Sequence, residues 1–128
     1  MPAVREIMAG DVLAVEPTAR LLDAAVRMHE RRVGAVVVVE DGRLVGIFTE
    51  RDVLRAVATG GVDGPVGDTM TRGPETIGPD DATSHAASLM IHGGFRHLPV
   101  VEGDDVIGMV SIRDLIRVSI DDEAPRGA

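Results

Sequence analysis

Val36 to Val39 is an unbroken β-branched run, Asp41-Gly42 a polar break, and Leu44 to Phe48 a second apolar run. Two such runs across a tight Asp-Gly turn predict a β-hairpin. Leu98 to Val101, Gly103-Asp104 and Val106 to Val110 predict another. Ahead of each hairpin the apolar residues recur at helical spacing instead. Leu21, Leu22, Ala25 and Met28 form one stripe and Ala86, Leu89 and Met90 another, and Gly93-Gly94 stops the second helix. A further helix is predicted behind each hairpin, from about Glu50 to Ala58 and from about Ile112 to Ile120. Each series opens with a short extended stretch that meets a proline: Val12 to Val15 before Pro17, and Glu75 to Ile77 before Pro79. The predicted order is therefore β-α-β-β-α, twice.

The two series are copies of one another. Met70 laid on Met8, 62 positions on, brings Pro79 onto Pro17, Ala86-Ala87 onto Ala24-Ala25 and Met90 onto Met28 without a gap. The same offset lays Val100-Val101-Glu102 on Val38-Val39-Glu40, Gly108 on Gly46, Arg113-Asp114 on Arg51-Asp52 and Arg117 on Arg55. A tandem duplication follows. Its expected division is a first repeat at 1–60, a linker at 61–65 within the turn-rich GGVDGP, a second repeat at 66–120 and a disordered tail at 121–128. A unit this small is marginal alone. The expected architecture is an α+β pair packed about a pseudo-twofold axis, with two related clefts between the copies.

Composition narrows what such a pair can bind. With 128 residues, 45% hydrophobic and 27% charged, the chain falls in the range of a soluble globular domain. Its 21 acidic against 13 basic residues, a net charge of -8, argue against nucleic acid or an anionic membrane as partner. There is no cysteine, hence no disulfide and no thiolate metal site. The opening MPAVREIMAGDV lacks an apolar signal core, and the longest apolar run, Val33 to Val39, falls far short of the roughly 20 residues of a membrane helix. A cytoplasmic protein is expected. Trp and Tyr are absent and Phe48 and Phe95 are the only aromatic residues, so aliphatic side chains must grip any planar ligand.

The chemistry concentrates where each hairpin runs into its second helix. GIFTERDVL, Gly46 to Leu54, and GMVSIRDLI, Gly108 to Ile116, share a glycine, a hydroxyl residue and an Arg-Asp pair. Thr49-x-x-Asp52 and Ser111-x-x-Asp114 are capping-box patterns, although the box favours Glu or Gln, whose longer side chain reaches back to the cap. A ligand reading stands beside the cap. A helix N-terminus and a hydroxyl welcome phosphate, and an ionised Asp one turn in accepts hydrogen bonds from a vicinal diol such as ribose. Arg51 and Arg113 precede the aspartates, and Arg96-His97 opens the second hairpin where the first has Gly34-Ala35. No P-loop, dinucleotide-binding glycine string or zinc-protease motif occurs, and neither a metal site at His85 and His92 nor catalysis is expected.

With the doubled GIFTERDVL and GMVSIRDLI, the hairpin openings VGAVVVV and FRHLPVV and the β-α-β-β-α order, the chain resembles a tandem pair of cystathionine β-synthase (CBS) domains, the Bateman module, from about Val4 to Ile120. The resemblance implies a non-catalytic regulatory module that binds AMP, ADP, ATP or S-adenosylmethionine between its repeats. Asp52 and Asp114 would hold ribose hydroxyls, with Thr49 and Ser111 near phosphate and Arg96 and His97 reaching it; Gly34 and Ala35 do not match those family positions, so the resemblance implies one well-formed site rather than two. Each cleft would borrow from the other copy: Val33 and the segment near Val15 beside the adenine of Asp114, Phe95 and the segment near Ile77 beside that of Asp52. It also implies a flat homodimer, for which Val53, Leu54, Val57, Leu115 and Ile116 are contact candidates, their alternative being intramolecular core. Because the repeats fill the chain, regulation is expected to act on a separate protein. The competing reading is a ligand-free dimerisation or protein-interaction module.

Overall fold

The computed structural model describes residues 2–123, with side chains to residue 120. It divides into two compact units, one from Val12 to Pro74 and the other joining the first segment, up to Asp11, to the chain from Glu75 on. The sequence repeat and the packed unit are thus cut at different points. Residues 124–128, most of the expected tail, lie outside the described residues, while residues 121–123 continue the last helix.

In the first unit β1 (Ala14–Val15), α1 (Leu21–Arg31), β2 (Ala35–Glu40), β3 (Arg43–Thr49) and α2 (Glu50–Thr59) follow in the expected order. The hairpin turns through Asp41 (φ 52°) and Gly42 (φ 76°), both in the left-handed region that a two-residue type I′ turn demands. β1 pairs parallel to β2 at Ala14 with Val37, and β2 pairs antiparallel to β3 from Ala35 with Thr49 to Glu40 with Arg43. A fourth strand, β4 (Thr71–Arg72), was not expected; it closes the other edge, pairing Thr71 with Ile47. Just before it, Val66 is fully buried in a short 3-10 turn whose N–H bonds the Ala19 carbonyl at 2.8 Å. The glycine-rich Gly60 to Pro65 stretch is folded onto the same unit, with Leu21 N donating to Gly64 O at 3.0 Å.

The second unit repeats this plan with α3 (Thr83–Gly93), β5 (His97–Glu102), β6 (Asp105–Ser111) and α4 (Ile112–Glu123). Ile77 bridges parallel to Val100 where β1 stands in the first unit, and Ala9 bridges antiparallel to Met109 where β4 stands. Val4, fully buried, takes the place of Val66 and donates from its N–H to Asp81 O at 2.9 Å. The segment leading into each sequence repeat therefore completes the sheet of the other.

Gly46 and Gly108 show why that exchange is specific. A Cβ on Gly46 would stand 2.6 Å from Met70 Sδ and 2.9 Å from the Thr71 carbonyl oxygen; on Gly108, 2.5 Å from Met8 Sδ and 3.0 Å from Ala9 O. The methionine that leads into one repeat lies on the glycine of the other.

Each unit has its own core. Leu21, Val36, Val38 and Phe48 centre the first, and Val4, Leu98, Val100 and Val110 the second. The stripe of α1 is displaced from the expected one: Leu21, Ala24 and Met28 are buried, Leu22 is exposed and Ala25 is half-buried. With Leu21 as first helical residue, the i, i+3, i+7 face passes through Ala24.

Candidate functional site

Thr49 ends β3 in an extended conformation (φ -123°, ψ 169°) and caps α2. Asp52 N donates to Thr49 Oγ1 at 3.4 Å, a weak bond, and Asp52 Oδ2 accepts from Thr49 N at 2.9 Å and from Thr49 Oγ1 at 3.2 Å. The second copy is tighter, with Ser111 N and Oγ 2.8 and 3.0 Å from Asp114 Oδ2, and Asp114 N 3.2 Å from Ser111 Oγ. Both capping boxes are closed in both directions. Asp is long enough after all, because the extended cap residue turns its own N–H toward the first helical turn.

This geometry sets what the hydroxyls can offer. A hydroxyl has one proton. In both copies that proton lies on the carboxylate, so donation to a phosphate requires it to rotate away from Oδ2. What remains for an anion is the helix N-terminus itself, with Arg51 or Arg113 exposed in the first turn and without a hydrogen bond or ion pair among the described residues.

The two carboxylates differ at the other oxygen. Asp52 is buried and its Oδ1 accepts from Arg55 Nη2, which also donates to the Thr69 carbonyl at 3.0 Å. Asp114 is half-buried and its Oδ1 meets no protein donor among the described residues. Arg55 has a counterpart at Arg117, yet no bond joins Arg117 to Asp114. Arg55 and Arg117 fall on one another in the 62-residue repeat, and their i, i+3 spacing from each aspartate is the sequence signal for such a contact.

Strand register brings further expected residues beside each cap. His97 pairs with Ser111 and Ile112 N donates to Arg96 O at 2.9 Å, so Arg96, His97, Ser111, Arg113 and Asp114 gather at one end of the second unit. Arg96 is exposed and His97 half-buried. The matching end of the first unit has Ala35 paired with Thr49 and Gly34 O accepting from Glu50 N, and carries no cation at those strand positions. Val33, 38% exposed, precedes this strand, and Phe95, half-buried, packs on the second core and over Gly93. Val15 and Ile77 are buried, so their backbone is what they can present to a ligand. Val15, Val33, Thr49, Arg51 and Asp52 belong to the first unit, and Ile77, Phe95, Arg96, His97, Ser111, Arg113 and Asp114 to the second. Among the described residues no group of three or more His, Asp or Glu side chains is placed to hold a metal ion.

The apolar residues of the second helices sort into two sets. Val53 and Leu115 pack on their own cores, whereas Leu54 (68% exposed), Val57 (63%) and Ile116 (52%) face outward. No helix among the described residues is long and apolar enough to cross a membrane.

The chain matches the family model described as CBS domain twice, at residues 4–59 and 66–121. It is 33% identical to the CBS domain-containing protein YhcV of Bacillus subtilis, over 90% of this chain and 84% of that one. Among solved structures it is similar to the CBS domain protein PAE2072 from Pyrobaculum aerophilum complexed with AMP, with a TM-score of 0.82 and 30% identity, covering 88% of this chain and 89% of that one. It is also similar to the CBS domain pair of protein MJ0100 in complex with 5-methylthioadenosine and S-adenosyl-L-methionine, with a TM-score of 0.87 and 25% identity, covering 92% and 99%.

Proposed function

Because this chain belongs to the CBS domain family and carries two such domains in tandem, we propose that it is a regulatory module that binds an adenosyl nucleotide, of the AMP, ADP, ATP or S-adenosylmethionine class, and acts without catalysis on a separate partner protein. The observation that carries this reading is the open Oδ1 of Asp114, one turn into a helix whose N-terminus lies beside Ser111, Arg113, Arg96 and His97. A carboxylate there accepts from a ribose diol, while the helix end and the cations balance a phosphate. On this reading Thr49 and Ser111 cap an empty site and turn toward phosphate in a filled one, and Val15, Val33, Ile77 and Phe95 border the adenine. The AMP complex of PAE2072 and the S-adenosylmethionine complex of MJ0100 support the ligand class.

The measurement is a melting and calorimetry panel of AMP, ADP, ATP and S-adenosylmethionine. A ligand that binds only the folded chain stabilises it by about 2.7 kcal/mol at a hundred times its Kd. At least one nucleotide should raise Tm, and Asp114→Asn should abolish the rise. The nucleotide reading is lost if the whole panel gives neither a Tm shift nor heat.

A second reading, a ligand-free dimerisation or protein-interaction module, is favoured by the reciprocal caps, in which hydroxyl and carboxylate satisfy one another, and by exposed Leu54, Val57 and Ile116. The two readings share a homodimer joined through α2 and α4, in a cytoplasmic setting. Light scattering should give twice the chain mass of 13.5 kDa. The Leu54→Glu/Ile116→Glu double variant should halve it; an unchanged mass would place the contact elsewhere.

A further inference from the structure

The copies of the hydroxyl-acid cap are alike except at one carboxylate oxygen. Oδ1 of Asp52 is held by Arg55, whereas Oδ1 of Asp114 has no donor among the described residues although Arg117 stands at the same spacing. The difference has an anchor outside the cap. Arg55 is fixed from its other side by the Thr69 carbonyl at 3.0 Å, and Arg117 makes no such bond. The held aspartate is also the hidden one, its side chain 6% exposed, while the arginine holding it is 54% exposed.

We infer that Arg55 is a latch that shuts the Asp52 carboxylate to a diol, so that the chain takes one adenosyl ligand, at Asp114. This rests on the nucleotide reading above. In both copies Oδ2 is already occupied by the cap, so Oδ1 is the acceptor left for ribose. At Asp114 both lone pairs of Oδ1 are open to the diol. At Asp52 the guanidinium takes one of the two, so a diol donating both hydroxyls must displace it, exchanging a charge-assisted bond for one from a neutral donor and pulling Arg55 from Thr69 O. The cations follow the same asymmetry, since Arg96 and His97 adjoin the Asp114 cap by strand register and Gly34 and Ala35 adjoin the Asp52 cap. Arg55 thus acts as a specificity-determining residue: it decides which of two near-identical caps is open.

The test is AMP stoichiometry by isothermal titration calorimetry on the full chain. The wild-type chain should bind one AMP, and Asp114→Asn none. Arg55→Met keeps the apolar stem without the donor, so it should bind two, and Asp114→Asn/Arg55→Met should recover one. Two AMP per wild-type chain would overturn the latch without recourse to any Arg55 variant. So would one AMP on Arg55→Met or on Arg55→Ala, where circular dichroism shows a native fold. Those results leave the nucleotide reading standing. If AMP, ADP, ATP and S-adenosylmethionine all fail to bind the wild-type chain and every variant, the nucleotide reading and the latch fall together.

Discussion

Asp52 and Asp114 occupy one sequence motif and two environments, and the ligand-free chain should feel the difference. Removing the buried Asp52 leaves Thr49 N and Arg55 without their acceptor. Hydrogen bonds to charged groups contribute about 1.5–3 kcal/mol each, with exposed Arg55 at the low end. Asp52→Ala should therefore cost about 3 kcal/mol, and Asp114→Ala, which strands Ser111 N but no arginine, about 1.5 kcal/mol. Urea unfolding of the two variants measures this, and equal losses would remove the asymmetry. Gly46→Ala tests close approach. Its Cβ would meet Met70 Sδ, which can move, and the Thr71 carbonyl, which is held in the β3–β4 pairing. Overpacking of this kind costs about 1–3 kcal/mol, read in the same experiment. That Thr49 and Asp52 form a cap was legible from spacing. That the short Asp closes it, and that Arg55 takes its second oxygen, was not, because both depend on distances set by backbone angles and by a carbonyl 14 residues away.

Helices and hairpins were the most legible level. Apolar runs around a two-residue turn have one economical conformation, so β2–β3 and β5–β6 lie where the paired runs placed them. Less legible was the phase of α1, where Leu22 and Ala25 compete with Ala24 for the buried face and the sheet beneath decides. The helix ends also differ between the copies. α1 closes on Arg32 at φ 55°, α3 on Gly94 at φ 72°. A left-handed conformation costs an ordinary residue about 1–2 kcal/mol, against roughly 0.5–1 kcal/mol for the extra freedom glycine loses on folding. Arg32→Gly should thus stabilise the first unit by about 0.5–1 kcal/mol, raising Tm by several degrees. A fall in Tm would mean that Arg32 contributes through its side chain.

The exchange of leading segments makes the second unit depend on the first residues of the chain. Val4 is fully buried in the second core, and Ala9 continues the β6 edge through Met109. Deleting residues 2–9 should expose Val110, Leu98 and Ile77, so amide exchange across β5 and β6 should quicken by orders of magnitude while β2 and β3 keep their protection. Uniform loss across both units would show that they fold as one. Two further levels separate here. Periodicity, turn chemistry and the 62-residue repeat were enough to establish two β-α-β-β-α copies and the paired hydroxyl-acid caps, because each depends on neighbours within a few positions or on direct comparison of like with like. Folding in three dimensions settled which segment completes which sheet, which face of α1 is buried and which aspartate is latched. Those outcomes turn on contacts between residues far apart in the chain: Met8 with Gly108, Met70 with Gly46, Arg55 with Thr69. An identical motif carries no record of such contacts, and for that reason two matching caps can end with one carboxylate closed and the other open.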